Sequence, residues 1–185
     1  SRNTYSAGAA EVILPRVLAP YARCIYDAVG WEDVIEHGRL VVAFGGMPAR
    51  NRYVHSGGPS RHRAGPAMRA AMERGVRFVL VSPLRDDLPD EISADWVAPR
   101  PGTDTALMLG IAHTLVAEGR HDRAFLDRCT SGYETFERYL LGAGDGIPKD
   151  AAWAAGITGV AAEAISGLAR RMAGGRTLIT VAHGL

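Results

Sequence analysis

The sequence predicts an α/β domain built on an open, mostly parallel sheet with helices on its faces. Two β-rich apolar runs, 39–44 and 76–81, end in turn residues, Gly45-Gly46 and Ser82-Pro83. Between them, 59–75 carries Ala67, Met68, Ala71 and Met72 at helical spacing and closes on Gly75, which suits a helix C-terminus. The three segments make one strand–helix–strand unit. Further strands alternating with apolar helices extend that pattern into a parallel sheet.

Each element follows from its own residues. A helix is expected over 11–26, where apolar positions recur at helix spacing, and 39–44 gives the first strand. The helix of 59–75 and the strand of 76–81 come next. A short third strand over 96–98 leads through Pro101-Gly102-Thr103-Asp104 into a helix from about 105 to 118, striped by Leu107, Leu109, Ile111 and Leu115. Helices are then expected over 121–128, 133–141 and 161–172, with 142–146 a flexible glycine-rich joint. The run 177–182 supplies a fourth strand. Ligands of such sheets sit at the carboxyl ends of the strands, so the loops of interest are 45–52, 82–88, 99–104 and the residues after Ala182.

Composition narrows the classes of function. The 185 residues are 47% hydrophobic and 22% charged, enough for one well-packed domain and too few for two large ones. A net charge of +1 provides no field to recruit nucleic acid or an anionic membrane. No apolar run approaches the roughly 20 residues that span a bilayer, and no membrane insertion is expected. Cys24 and Cys129 lack the close pairing of zinc or iron–sulfur sites and are expected to be buried or inert thiols.

The strand-end loops have the chemistry of a nucleotide site. Gly45 and Gly46 let backbone approach a phosphate or base, Ser82 offers a hydroxyl, and the Asp104 carboxylate is able to accept two hydrogen bonds from a guanine edge. Each also has a purely structural reading: glycines make turns, and an Asp at a helix start is a good N-cap. Neither a Gly-x-Gly-x-x-Gly fingerprint after the first strand nor a Walker-type phosphate loop occurs, which removes weight from NAD binding and phosphoryl transfer.

Several stretches together resemble one family. Asn3-Thr4-Tyr5-Ser6-Ala7-Gly8-Ala9-Ala10 with Val12-Ile13-Leu14-Pro15, then Val41-Val42-Ala43-Phe44-Gly45-Gly46, then Pro101-Gly102-Thr103-Asp104 with its apolar continuation to Leu115, and finally Gly132-Tyr133 onward to Gly142, look in order and content like molybdopterin guanine dinucleotide enzymes of the dimethyl sulfoxide reductase family. The similarity runs across nearly the whole chain and is greatest to the biotin sulfoxide, trimethylamine N-oxide and dimethyl sulfoxide reductases. The resemblance implies a Rossmann-like cofactor-binding domain over 1–185, an internal piece of a larger multidomain molybdoenzyme, with 1–38 a leading helical segment that carries the metal-ligand match.

By that resemblance Ser6 binds molybdenum through its side-chain oxygen, just before a helix beginning near Ala7, and is the catalytic and metal residue. A serine there separates the oxo-transfer branch from relatives that use cysteine or selenocysteine. Gly45, Gly46 and Asn51 match the loop that contacts one pterin dinucleotide, Ser82-Pro83 stands where many relatives have Asp-Pro, and Gly102 and Asp104 match the turn and acid of the next loop. The implied cofactor is molybdenum with bis(molybdopterin guanine dinucleotide); the implied partners are a small S- or N-oxide, the remaining domains of the parent enzyme and an electron donor, in the bacterial cytoplasm or periplasm. The alternative is a non-catalytic α/β nucleotide-binding or structural module related to molybdoenzymes. The basic, glycine-rich loop of His55, Ser56-Gly57-Gly58-Pro59-Ser60, Arg61, His62 and Arg63 is expected to be solvated, His113 to be a satisfied core histidine, and Trp31, Trp96 and Trp153 to pack.

Overall fold

The structure, a computed structural model, describes residues 8–27, 29–48 and 63–181. Its elements run α1 (Gly8–Val17), α2 (Tyr21–Tyr26), α3 (Trp31–His37), β1 (Leu40–Phe44), α4 (Ala64–Glu73), β2 (Arg77–Val81), a 3-10 turn (Arg85–Asp87), β3 (Ala94–Val97), α5 (Asp104–Ala117), α6 (Arg123–Cys129), α7 (Tyr133–Leu140), α8 (Ala151–Thr158), α9 (Ala162–Ala173) and β4 (Thr177–Val181). The four strands form one all-parallel sheet in the order β3-β2-β1-β4. This is the expected α/β architecture.

Strand alternation sends β1 side chains to both faces, and both are covered. Leu40, Val42 and Phe44, with Val79 and Val81 of β2, pack under Leu107 and Ile111 of α5, Ala154 of α8, and Ile165 and Leu168 of α9. Val41, Phe78 and Leu80 point the other way, onto Val34 of α3 and Met68 and Ala71 of α4. A continuous apolar run is what a strand covered on both sides requires. The β1–β2 crossover passes over one face through α4 and the β3–β4 crossover over the other through α5, α8 and α9. Right-handed connections demand that arrangement when the chain reverses its direction along the sheet.

Four differences from the sequence reading have local causes. The segment 11–26 is two helices because Pro20 has no amide hydrogen to continue the first and disfavours helical backbone at Ala19. β3 starts two residues earlier than expected, at Ala94 paired to Phe78. The helices α3 and α8 were not anticipated. The joint at 142–146 is a tight turn: Ala143 N–H donates to Arg138 O at 2.9 Å, Gly146 N–H to Gly142 O at 2.8 Å and Lys149 N–H to Leu140 O at 2.8 Å. A Cβ at Gly142, whose φ is +80°, would stand 2.6 Å from Pro148 N. Below it Lys149, 3% exposed, sets its ammonium against Asp145 at 2.5 Å, the Ile147 carbonyl at 2.6 Å and the Tyr139 ring at 4.7 Å.

The thiols, histidine and tryptophans also depart in part. Cys129 is exposed and Cys24 partly so, and neither forms a disulfide; the Cys24 thiol donates to Ala19 O at 3.4 Å. His113 is half-buried on the outer side of α5 rather than in the core, and Trp96 is 46% exposed, while Trp31 and Trp153 pack against the two cores. The residues from His55 to His62 lie outside the described residues. Among the described residues no single helix is long and apolar enough to cross a membrane.

The far ends of α5 and α9 are joined by an ion-pair knot. Arg170 grips the Glu118 carboxylate through Nη2 at 2.6 Å and Nε at 2.9 Å, and Arg120 Nε adds a bond at 2.8 Å. Hydrogen bonds from Arg170, then Arg120, pull the Glu118 pKa from 4.5 down to about 2. A depressed carboxyl contributes stability that is present above its unfolded value and lost as pH falls through the folded one. The wild-type melting temperature is therefore expected to fall more steeply between pH 4.5 and about 2 than that of Glu118→Gln. Equal slopes in acid-melting curves would remove Glu118 from this role.

Candidate functional site

All four strands point the same way, so their carboxyl ends form one crest. The order places the crevice between β1 and β4, where successive connections leave the sheet on opposite faces. Gly45 and Gly46 end β1, Ser82 and Pro83 end β2, and the turn to α5 follows β3.

The β1 end is tied tightly to the β2 end. Gly45 N–H donates to Val81 O at 2.8 Å and Met47 N–H to Asp87 O at 2.7 Å, while Gly46 N–H makes a longer bond to Ala43 O at 3.4 Å. Gly46 has φ +78°, and a Cβ there would collide with the Asp87 carbonyl and lie 2.6 Å from Asp87 Cβ. The three amides are thus engaged within the protein. At Gly46 the missing side chain makes room for Asp87.

Ser82 is 1% exposed. Its hydroxyl donates to Asp87 Oδ2 at 2.6 Å and accepts from Leu84 N–H at 3.2 Å, and its carbonyl accepts from the Trp96 indole at 2.8 Å. Pro83 beside it is exposed. Asp87, which sequence reasoning did not single out, is thereby held by Ser82 through its carboxylate and by Met47 through its backbone. Its signal in the sequence is faint, one acid among Arg85-Asp86-Asp87.

The β3–α5 connection is a turn fixed by its own chemistry. Thr103 N–H donates to Arg100 O at 3.2 Å across Pro101-Gly102, with Gly102 at φ +75°. Proline at the second position and a left-handed glycine at the third are what a type II turn needs. Thr103 Oγ1 donates to the same Arg100 carbonyl at 2.6 Å. Arg100 in turn clamps the end of α8 through Nη1 to Ile157 O at 3.0 Å and Gly156 O at 3.1 Å. The loop is fastened on both sides.

Asp104 departs from the N-cap reading. Thr103 occupies the cap position and Asp104 is the first helical residue. Asp104 Oδ1 is buried and has no hydrogen-bond partner among the described residues. A carboxylate oxygen withdrawn from water without a donor costs about 1–3 kcal/mol or more, and its place at the helix start offers only dipole compensation. It is poised to accept from a donor supplied at the crest, such as a guanine N–H.

Gly45, Gly46, Ser82, Pro83, Gly102 and Asp104 therefore all stand in crest loops. Ser6 and Asn51 lie outside the described residues. Among the described residues no group of three His, Cys, Asp or Glu side chains could hold a metal. Away from the crest, a groove of about 360 Å³ is lined by His113, Glu118, Asp150 and Glu163. Two of its carboxylates are already used, Asp150 to cap α8 at Trp153 N–H and Glu118 in the arginine knot.

The glycines give a test of the crest. Gly46→Ala meets both a left-handed φ and the Asp87 backbone and is expected to cost on the order of 2–4 kcal/mol. Gly102→Ala has open space around its Cβ and is expected to cost only about 1–2 kcal/mol of backbone strain. Denaturant unfolding of the two variants compares them directly; equal losses would mean that Asp87 does not press on Gly46.

No family model matches the chain. It is 47% identical over 99% of its length to the biotin sulfoxide reductase of Cereibacter sphaeroides, of which it covers 25%. It is 41% identical over 97% of its length to the dimethyl sulfoxide/trimethylamine N-oxide reductase of the same organism, covering 22%. With the trimethylamine-N-oxide reductase of Haemophilus influenzae it shares 37% identity over 100% of its length, again covering 22%. The chain thus spans a quarter or less of the length of the curated relatives it matches. Acetylene hydratase from Pelobacter acetylenicus has the same fold, with a TM-score of 0.61 at 23% identity, over 86% of this chain and 21% of that one.

Proposed function

We propose that this chain forms part of a molybdenum-dependent reductase that removes an oxygen atom from a small S- or N-oxide, and that its crest grips part of a bis(molybdopterin guanine dinucleotide) cofactor. The observation that carries this reading is the whole-length similarity to reductases named for sulfoxides and N-oxides. The crest fits such a group: Asp104 Oδ1 is a buried acceptor with no donor among the described residues, and nothing lies within 4 Å of a Cβ built on Gly102.

When bound, the molybdenum–pterin group supplies the two-electron chemistry that takes the oxygen from the oxide. The chain's own residues position it. Ser6, by its place in the matching segment, would hold the metal through its side-chain oxygen shortly before α1. Asp104 would accept N–H donors of a guanine edge, Gly45 and Gly46 would shape the β1-end loop beside the dinucleotide, and Asn51 would add an amide to the same loop. Ser82 and Pro83 shape the β2 end. The remaining domains of the reductase, an electron donor and the oxide would complete the system.

The test uses the full reductase carrying this chain. Ser6→Ala is expected to depress molybdenum content and oxide reduction strongly, while costing folding no more than about 1 kcal/mol, the typical loss of a helix cap. An alanine variant with unchanged metal content and turnover would remove Ser6 from the metal site.

Asp104→Asn is expected to hold less guanine nucleotide per polypeptide with little change in the melting temperature of the cofactor-free protein, because Asp104 caps nothing that Asn would lose. Equal nucleotide content in variant and wild type would leave Asp104 without a cofactor role.

A further inference from the structure

β4 is an edge strand with one ladder unmade and one face uncovered. It runs in register with β1 from Leu40↔Thr177 to Phe44↔Val181, and Leu40 N–H donates to Arg176 O at 3.3 Å. In a parallel ladder that bond sends the amides of Leu178 and Thr180 toward β1, and those of Thr177, Ile179 and Val181 away from it. Among the described residues no strand lies on that outer side. Ile179 and Val181, in register with Val42 and Phe44, are half-exposed on the face that α5, α8 and α9 cover over β1. On the opposite face Thr180 Oγ1 is buried with no hydrogen-bond partner among the described residues. Open amides beside exposed apolar side chains invite uncontrolled pairing, so native sheets cover such an edge.

The topology says what would cover it. The order β3-β2-β1-β4 matches the first four positions of a doubly wound sheet, in which further parallel strands follow beyond the fourth. The crossover from β1 to β2 runs toward the β3 edge on the Val41 face, and the one from β3 to β4 runs back on the Val42 face. A right-handed connection from β4 to a strand beyond it keeps that second direction, and therefore the second face. Its helix comes to lie over Ile179 and Val181. A second copy of this chain paired edge to edge would engage the outer amides but bring no helix onto those two side chains. The chain covers only 25% and 22% of two reductases it matches, so such polypeptides have ample length to supply one more helix and strand.

We propose that β4 is an interior strand of the complete reductase: a further strand of the same polypeptide pairs parallel with the outer edge of Thr177, Ile179 and Val181, and the helix connecting the two packs its apolar side on Ile179 and Val181. This rests on the reading of the chain as part of a longer reductase. It makes this side of the crest, beyond β4, a wall shared with the rest of the polypeptide.

The experiment uses the full, molybdenum-loaded reductase. Ile179→Cys and Val181→Cys are labelled with a maleimide, located by peptide mapping apart from Cys24 and Cys129, in native protein and in guanidinium. Native labelling should be slower by at least about a hundredfold, the protection of a side chain that reacts only through local opening. Wild-type hydrogen exchange, read residue by residue and needing no variant, should find the amides of Thr177, Ile179 and Val181 within about tenfold of the slow amides of Leu178 and Thr180.

Native labelling within a few-fold of the unfolded rate overturns the helix, and outer amides exchanging at the unfolded rate beside slow inner ones overturn the added strand. Protection lost on dilution, in step with a dimer dissociating in sedimentation, assigns the face to a second copy and overturns the proposal. Molybdenum content of the same samples reports on the cofactor reading separately: unprotected thiols in loaded reductase overturn this proposal alone.

Discussion

The structure depends on β1 being hydrogen-bonded on both sides and covered on both faces. Leu40 to Phe44 pair in register with Arg77 to Val81 on one side and Thr177 to Val181 on the other. None of the five is more than 2% exposed. A parallel strand so enclosed has no freedom to slip, because a shift by one residue would exchange the side chains of its two cores. Its carboxyl end then emerges at a fixed height, and Gly45 and Gly46 mark where the crest begins. Every later feature of the candidate site is measured from that point.

The crest loops are held by bonds that would exist without any ligand. Arg100 joins the turn before α5 to the end of α8, Thr103 locks the same turn, and the Ser82–Asp87–Met47 chain ties the β2 loop to the β1 loop. Such prior fastening means that a ligand need not order these loops on binding. Against this background Asp104 Oδ1 stands out, since its neighbours satisfy their groups internally and it has no partner among the described residues. Buried polar atoms are almost always paired. Its exception lies at the crest of a parallel sheet, where bound groups lie.

The framework was legible because its signals are local. Unbroken apolar runs marked β1, β2 and β4, and the stripe from Leu107 to Leu115 marked α5 to within a residue at each end. The helix α3 was hidden because Trp31–His37 offers only seven residues, four of them charged or titratable. The helix α8 was hidden for the opposite reason: Ala151–Thr158 is apolar all round and shows no polar face, so its clearest sign is the Asp150 cap before it. At the site, Gly45, Gly46, Ser82, Gly102 and Asp104 were visible as strand-end residues. Asp87 was not, because its importance comes from Gly46, forty-one positions earlier, and from Ser82 across a 3-10 turn, neither of which has a spacing rule. Likewise the engaged amides at Gly45 and Met47 are tertiary facts that no local spacing reveals.

The two walls of the crevice are unequal. On the β1 side, Val42 and Phe44 are 0% and 2% exposed; their partners in register on β4, Ile179 and Val181, are 49% and 58% exposed. Side chains paired in register point to the same face, so the covering helices α5, α8 and α9 shield β1 but leave this face of β4 largely open. Gly46, Asp87, Gly102 and Asp104 all belong to the loops of β1, β2 and β3, on the closed side. Among the described residues, this closed side carries the buried Asp104 Oδ1, while the amides of Gly45, Gly46 and Met47 are engaged within the protein.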